Sequence, residues 1–153
     1  MQRIVLTLLA ITSLLAASLR PAAAQVVYPL EFNIPFDFTV SEKTFPAGTY
    51  TVSPMSSYSE GVFALRDMDS KKEIVFLAES AESANVPRKS ELIFVKVGDH
   101  YFLSEIFEAG NATGERLSET RLEKRLVKAV AKEQGIAQLV VVFANAIKAE
   151  NMN

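Results

Sequence analysis

The chain has 153 residues, with 16 basic against 18 acidic side chains, one histidine, no cysteine and 49% hydrophobic residues. That length suits one domain with a proper core. The missing cysteine excludes disulfides and thiol chemistry, and a net charge of −2 leaves no footprint for nucleic acid.

The first 24 residues read as a secretory signal peptide. Arg3 starts it, Ile4 to Leu19 is an uncharged apolar run, and Ala22-Ala23-Ala24 supplies small residues for a cut before Gln25. The run is shorter than the ~20 residues a spanning helix needs, so no stable membrane span is expected after cleavage. Removing 24 of 153 residues leaves 129, and removing Arg3 and Arg20 leaves 14 basic against 18 acidic residues, a net −4. The expected address is periplasmic or extracellular. Residues 25–114 are expected to form a β-rich domain, and residues 115–153 a helical segment packed on it.

Leu30 to Val40 (LEFNIPFDFTV) alternates without a break. Leu30, Phe32, Ile34, Phe36, Phe38 and Val40 share one face, which predicts a single strand with a dry side. Ser41 to Thr44 is a polar turn. In Phe45-Pro46-Ala47-Gly48 the proline presets φ, and Gly48 is expected at positive φ in a tight turn. Thr49 to Ser53 is a second strand, and Pro54 to Glu60 a Ser-rich loop. Val62 to Arg66 and Ile74 to Ala78 are further strands around the polar turn Asp67 to Lys72, the second apolar on both faces. Ser80 to Lys89 reads as a surface loop.

Leu92 to Val97 and His100 to Phe107 form a hairpin across Gly98-Asp99, a type I′ or II′ loop. That loop length predicts Val97 opposite His100, Val95 opposite Phe102 and Ile93 opposite Ser104. Both faces are mainly apolar and need cover. Glu108 to Gly114 is a loop. Beyond it, Leu117, Leu122, Leu126, Ala129 and Val130 recur at helical spacing, which predicts an amphipathic helix N-capped by Ser118 and ending near Gly135. Ile136 to Ala149 is ambiguous. Val140 to Phe143 has strand propensity, while Ile136, Val140, Phe143 and Ile147 share a helix face. The alanines and the long apolar span favour helix.

Three motifs stand out: Ile34-Pro35-Phe36-Asp37-Phe38, Phe45-Pro46-Ala47-Gly48-Thr49-Tyr50, and Gly98-Asp99-His100-Tyr101-Phe102-Leu103-Ser104-Glu105-Ile106-Phe107. Through them, residues 30 to 126 resemble a group of small exported bacterial proteins of unknown function. These have a PFxF strand, a PAGxY turn and a YFLSxIW-like strand, with Phe107 standing here where the group often has Trp. The resemblance implies a β-rich exported domain and assigns no catalytic residue.

Candidate chemistry is sparse. His100, the single histidine, sits beside a turn where side chains are solvated, and without a second histidine or a cysteine a zinc site lacks ligands. No GxSxG elbow accompanies Ser53, Ser56, Ser57, Ser59 or Ser104. Asp67-Met68-Asp69-Ser70-Lys71-Lys72-Glu73 alternates carboxylates but lacks the glycine and distal glutamate of a calcium loop. Glu31, Asp37 and Glu105 are the carboxylates a small hydrolase would use, although Glu105 is expected to pair with Arg121, Arg125 or Lys128. Arg116, Arg121, Lys124, Arg125, Lys128 and Lys132 are interleaved with Glu115, Glu119, Glu123 and Glu133, the pattern of a solvated helix face. Asn111-Ala112-Thr113 fits the N-glycosylation pattern, a common chance match.

The expected fold is mainly β: six or seven antiparallel strands in a small sandwich or open barrel, with a C-terminal amphipathic helix. The expected function is an exported, non-enzymatic binding or envelope-associated module needing no cofactor. Phe32, Phe36, Phe38, Tyr50 and Phe102 would face an enclosed apolar ligand. The alternatives are a carboxylate hydrolase and a partner-binding or homo-oligomeric subunit that uses Val140, Phe143 and Ile147 of the tail.

Overall fold

The computed structural model describes residues 29–55, 61–132 and 136–145. The signal peptide, its cut before Gln25, the cap at Gly135 and Ile147 lie outside them.

The described chain is mainly β. The strands are β1 (Leu30–Ile34), β2 (Phe38–Val40), β3 (Lys43–Phe45), β4 (Gly48–Pro54), β5 (Val62–Asp67), β6 (Glu73–Glu82), β7 (Glu91–Val97), β8 (His100–Phe107) and β9 (Thr113–Leu117). Helix α1 (Arg121–Lys132) and β10 (Gln138–Phe143) follow. The order across the sheet is β1-β4-β5-β6-β9-β8-β2-β3, with β7 on β8 and β10 on β7. The sheet is open and mixed, not an all-antiparallel sandwich of six or seven strands: β2 runs parallel to β8 through Thr39 and Phe102. One bridge, Phe32 to Ala144, joins β1 to the end of β10 without a ladder, so no barrel closes.

The expected single strand 30–40 is two strands. Proline has no N–H to give a ladder, and after Ile34 the chain leaves β4 at Pro35 and re-enters beside β3 and β8 at Phe38. The alternation survives the break. Phe32, Ile34, Phe38 and Val40 all point into one core with Tyr50, Val52, Leu65, Phe76, Leu92, Phe94, Leu103, Ile106 and Val142. Ser41 and Glu42 both take positive φ (46° and 68°) to turn β2 into β3. The expected polar turn is thus the two-residue tip of a hairpin.

Gly48 lies outside the positive-φ region, contrary to expectation. It is the first residue of β4, opposite Ile34. The turn before it is held instead by hydrogen bonds: the Tyr50 hydroxyl donates to the Pro46 carbonyl (2.7 Å), and the Ala47 N–H donates to Asp37 (2.9 Å).

β6 is twice the expected length and serves two neighbours. Residues 73 to 77 pair with β5, and residues 78 to 82 with β9. Its apolar residues are not all covered, since Val75 and Leu77 point to solvent. The β7–β8 hairpin keeps the predicted register from Val97–His100 to Phe94–Leu103. Gly98 alone has positive φ (61°), the type II′ pattern. A β-bulge then puts Ile93 opposite Glu105 rather than Ser104. β9 lies where the end of a loop and the approach to the helix were expected, so Leu117, read as the start of the helical apolar pattern, is a strand residue buried in the core.

α1 begins at Arg121, capped by Thr120 and not by Ser118. The Glu123 N–H donates to the Thr120 hydroxyl oxygen (3.0 Å), and the Thr120 N–H donates to the Glu123 carboxylate (3.3 Å). Thr-x-x-Glu is a capping box. Where it is described, the tail is a strand over Gln138–Phe143 and not the expected helix. β10 pairs with β7 from Gln138–Lys96 to Phe143–Glu91. β7 offered a free edge, and a ladder satisfies every second backbone group of an otherwise marginal helix former.

Candidate functional site

The five aromatic residues expected to face a ligand divide between two sides of the sheet. Phe32, Phe38 and Tyr50 are fully buried in the core, where Phe38 meets Tyr50 edge-on at 5.0 Å. Phe36 packs at its border, stacked on Tyr101 at 3.9 Å and edge-on to Phe94 at 5.2 Å. Phe102 is equally buried but pairs with Val95, and both point away from Phe94 and the core. Burial pushes the Tyr50 hydroxyl up to about 12, helped by the charges of Asp67, Asp37 and Asp69.

The carboxylates are engaged in structure. Glu105 pairs with Arg116 of the neighbouring strand at 2.7 Å, not with the helix residues Arg121, Arg125 or Lys128. Asp37 accepts the Ala47 N–H, and Glu31 accepts the Asn145 side-chain amide (3.0 Å). Asp67 accepts the N–H groups of Asp69 and Ser70 and the Ser70 hydroxyl. The Ser70 hydroxyl, then the two N–H groups, hold its carboxyl below the usual range. His100 is exposed at the start of β8, its ring 6.3 Å from that of Phe102. Among the described residues no three His, Asp or Glu side chains gather into a metal-ligand set. Asn111 is exposed in a turn, its side chain accepting the Thr113 N–H.

The surface feature is the outward side of β10. Strand alternation turns Val140 and Val142 toward the core and Leu139, Val141 and Phe143 away from it. Leu139 is 72% exposed and Phe143 51% exposed, and Ile136 just before the strand is exposed as well. The Lys89 ammonium sits 5.8 Å from the centre of the Phe143 ring. The end of β10 is fastened by the Ala144 N–H to the Ser90 carbonyl and the Asn145 N–H to the Glu31 carbonyl. Of the tail residues singled out from the sequence, Phe143 is thus on the surface and Val140 is half-buried against the core.

α1 packs against β7, the strand that also pairs with β10. No α1 residue belongs to the core cluster, so the helix lies on the outward side of β7. Val97 and Phe102 on that side are about 1% exposed. The Arg121 N–H donates to Glu42 in the β2–β3 turn (2.8 Å), fixing the helix start. Arg121, Lys124, Arg125, Lys128 and Lys132 are all exposed, and the one acid within the helix, Glu123, is buried in its capping box. Burial raises the Glu123 carboxyl above its usual value, against the opposing pull of the Thr120 N–H. Leu139 and Val141 were missed as surface residues because the tail was read with a helical period. Of the acids the sequence interleaves with this basic face, Glu115 lies in β9, Glu119 precedes the cap and Glu123 is buried in it; the Thr-x-x-Glu spacing is the signal that removes Glu123.

No family model, no curated protein and no solved structure matches the chain.

Proposed function

We propose that this chain is an exported, non-enzymatic binding module of the cell envelope, and that its contact surface is the outward face of β10. The observation that carries the reading is the row Leu139, Val141 and Phe143, left in water by a strand whose other side turns Val140 and Val142 to the core. Contiguous apolar side chains on a surface mark an interaction site. Export rests on the sequence of residues 1–24, with its charged start, apolar run and Ala-x-Ala ending. The carboxylates a hydrolase would need serve a salt bridge, a turn and a strand junction instead.

Fractionation of the native host tests both parts. The chain should be recovered from the envelope with Gln25 at its N-terminus by mass analysis. A double variant, Leu139→Ser with Phe143→Ser, should stay folded and move to the soluble exported fraction. A chain found in the cytosol with Met1 retained would overturn export. A double variant still held in the envelope would overturn the contact surface.

A further inference from the structure

The basic side chains of α1 are arranged at a cost to the helix itself. Arg121 and Arg125, Lys124 and Lys128, and Lys128 and Lys132 are each four residues apart, where like charges face and repel one another. Among the described residues of α1 no surface acid relieves them, because Glu123 is turned into the cap. α1 therefore carries five positive charges against one buried carboxyl, in a chain whose net charge is −2. Several described acids around the helix are engaged or set apart from it. Glu42 accepts the Arg121 N–H, Glu105 is paired with Arg116, Glu91 is half-buried opposite Phe143, and Glu119 is exposed just before the cap.

The apolar row of β10 opens on the same side. Leu139 pairs with Val95 and Val141 with Ile93, and Val95 in turn pairs with Phe102, which lies under the helix side of the sheet. The cations of α1 and the Leu, Val and Phe row of β10 thus both flank β7, with Lys89 over Phe143 at the far end of the row. We propose that this chain docks on anionic lipid surfaces through the basic face of α1 together with the outward face of β10. Anionic headgroups neutralise the stacked lysines and arginines, and Leu139, Val141 and Phe143 enter the boundary between headgroups and acyl chains. A second copy of the chain is a poor occupant, because a two-fold contact would bring two basic helices together. The inference deepens the envelope reading above and rests on it only for the compartment.

The chain has no cysteine, so Val141→Cys accepts a single environment-sensitive fluorophore, and Leu77→Cys, exposed on β6, serves as the control position. Each labelled full-length chain is mixed with phosphatidylglycerol–phosphatidylcholine vesicles and with phosphatidylcholine vesicles. Residues 1–24 are common to both and do not distinguish them. The label at position 141 should shift to the blue on anionic vesicles only, the shift should reverse in high salt, and the label at position 77 should not move. Lys124→Glu with Arg125→Glu and Lys128→Glu should weaken partitioning by at least about tenfold. Lys128→Glu alone, with the salt titration, keeps the test sound if the triple variant loses its fold. An equal shift on phosphatidylcholine, an equal shift at position 77, or full binding by a folded triple variant would overturn the proposal. A shift that grows with protein concentration in the absence of lipid would overturn it in favour of a second copy. Capture by an acidic polypeptide without vesicle binding would overturn it in favour of a protein partner. Export is read separately from the N-terminal mass, so docking without export sinks only the compartment, and export without docking sinks only the lipid surface.

Discussion

Gly114 shows how one residue without a side chain can hold two strands together. It stands in β9 opposite Ala81, and a Cβ built there would overlap the Phe107 ring and the Ile106 carbonyl oxygen. The backbone oxygen cannot swing aside as a long side chain would. Gly114→Ala should therefore cost about 1–3 kcal/mol as an overpacking change at a close backbone approach. Gly98→Ala meets open space but a positive φ that strains an L side chain, and should cost about 1–2 kcal/mol. Urea melts of the two variants check the order, and a Gly114→Ala midpoint no lower than that of Gly98→Ala would show that the β8–β9 approach accommodates a methyl group. In the sequence Gly114 is one of several small residues in an apparent loop. Its role depends on Phe107, seven positions earlier, and on a strand pairing that no local pattern announces.

At the scale of the element, α1 depends on its first turn. Glu123 is buried with its carboxylate on the Thr120 N–H, and burial raises its carboxyl above the usual 4.5. The folded state then holds this proton more tightly than the unfolded chain does. Its contribution to stability is full below about 4.5 and is lost as pH rises from there through the folded value. Glutamine also closes a capping box and cannot titrate. Glu123→Gln should keep the helix, and its stability relative to the parent should rise across that window and then level off. Melting temperatures of both proteins from pH 4 to pH 8 read this difference. A constant difference would show that Glu123 titrates as an exposed acid. Helix α1 was legible as an amphipathic segment because its apolar residues recur at three and four. Its start was not, because Leu117 continues the apolar pattern backwards into what is β9.

Across the whole molecule, β10 is the strand that completes β7. It seals Val142 against the core and reaches β1 through Ala144 and Asn145. Truncation after Gln134 should leave a monomer that melts lower. Losing one fully buried valine side chain alone is worth about 1.5–3 kcal/mol. For a chain of this size that corresponds to roughly 3–12 °C. Sizing and calorimetry of the truncated chain check it, and an unchanged melting temperature would mean that β10 contributes nothing to the core.

Local sequence determined the elements whose cause is local. The alternation of Phe32, Ile34, Phe38 and Val40 placed those residues in the core, and Gly98-Asp99 set the hairpin register as far as Phe94 and Leu103. The turn at Asp67 was legible for the same reason, since its carboxylate bonds groups two and three residues away. The tertiary structure decided what depends on distant neighbours. Pro35 divides one alternating run between two partners only because β4 and β3 lie in different parts of the sheet. Residues 138–143 fit a helix or a strand by composition. The free edge of β7 chose the strand, and in doing so parted Phe143 from Val140, its partner on the expected helix face, and set it at the surface with Leu139 and Val141. A backbone ladder needs a partner at the right edge, and that partner lies more than 40 residues away in the chain.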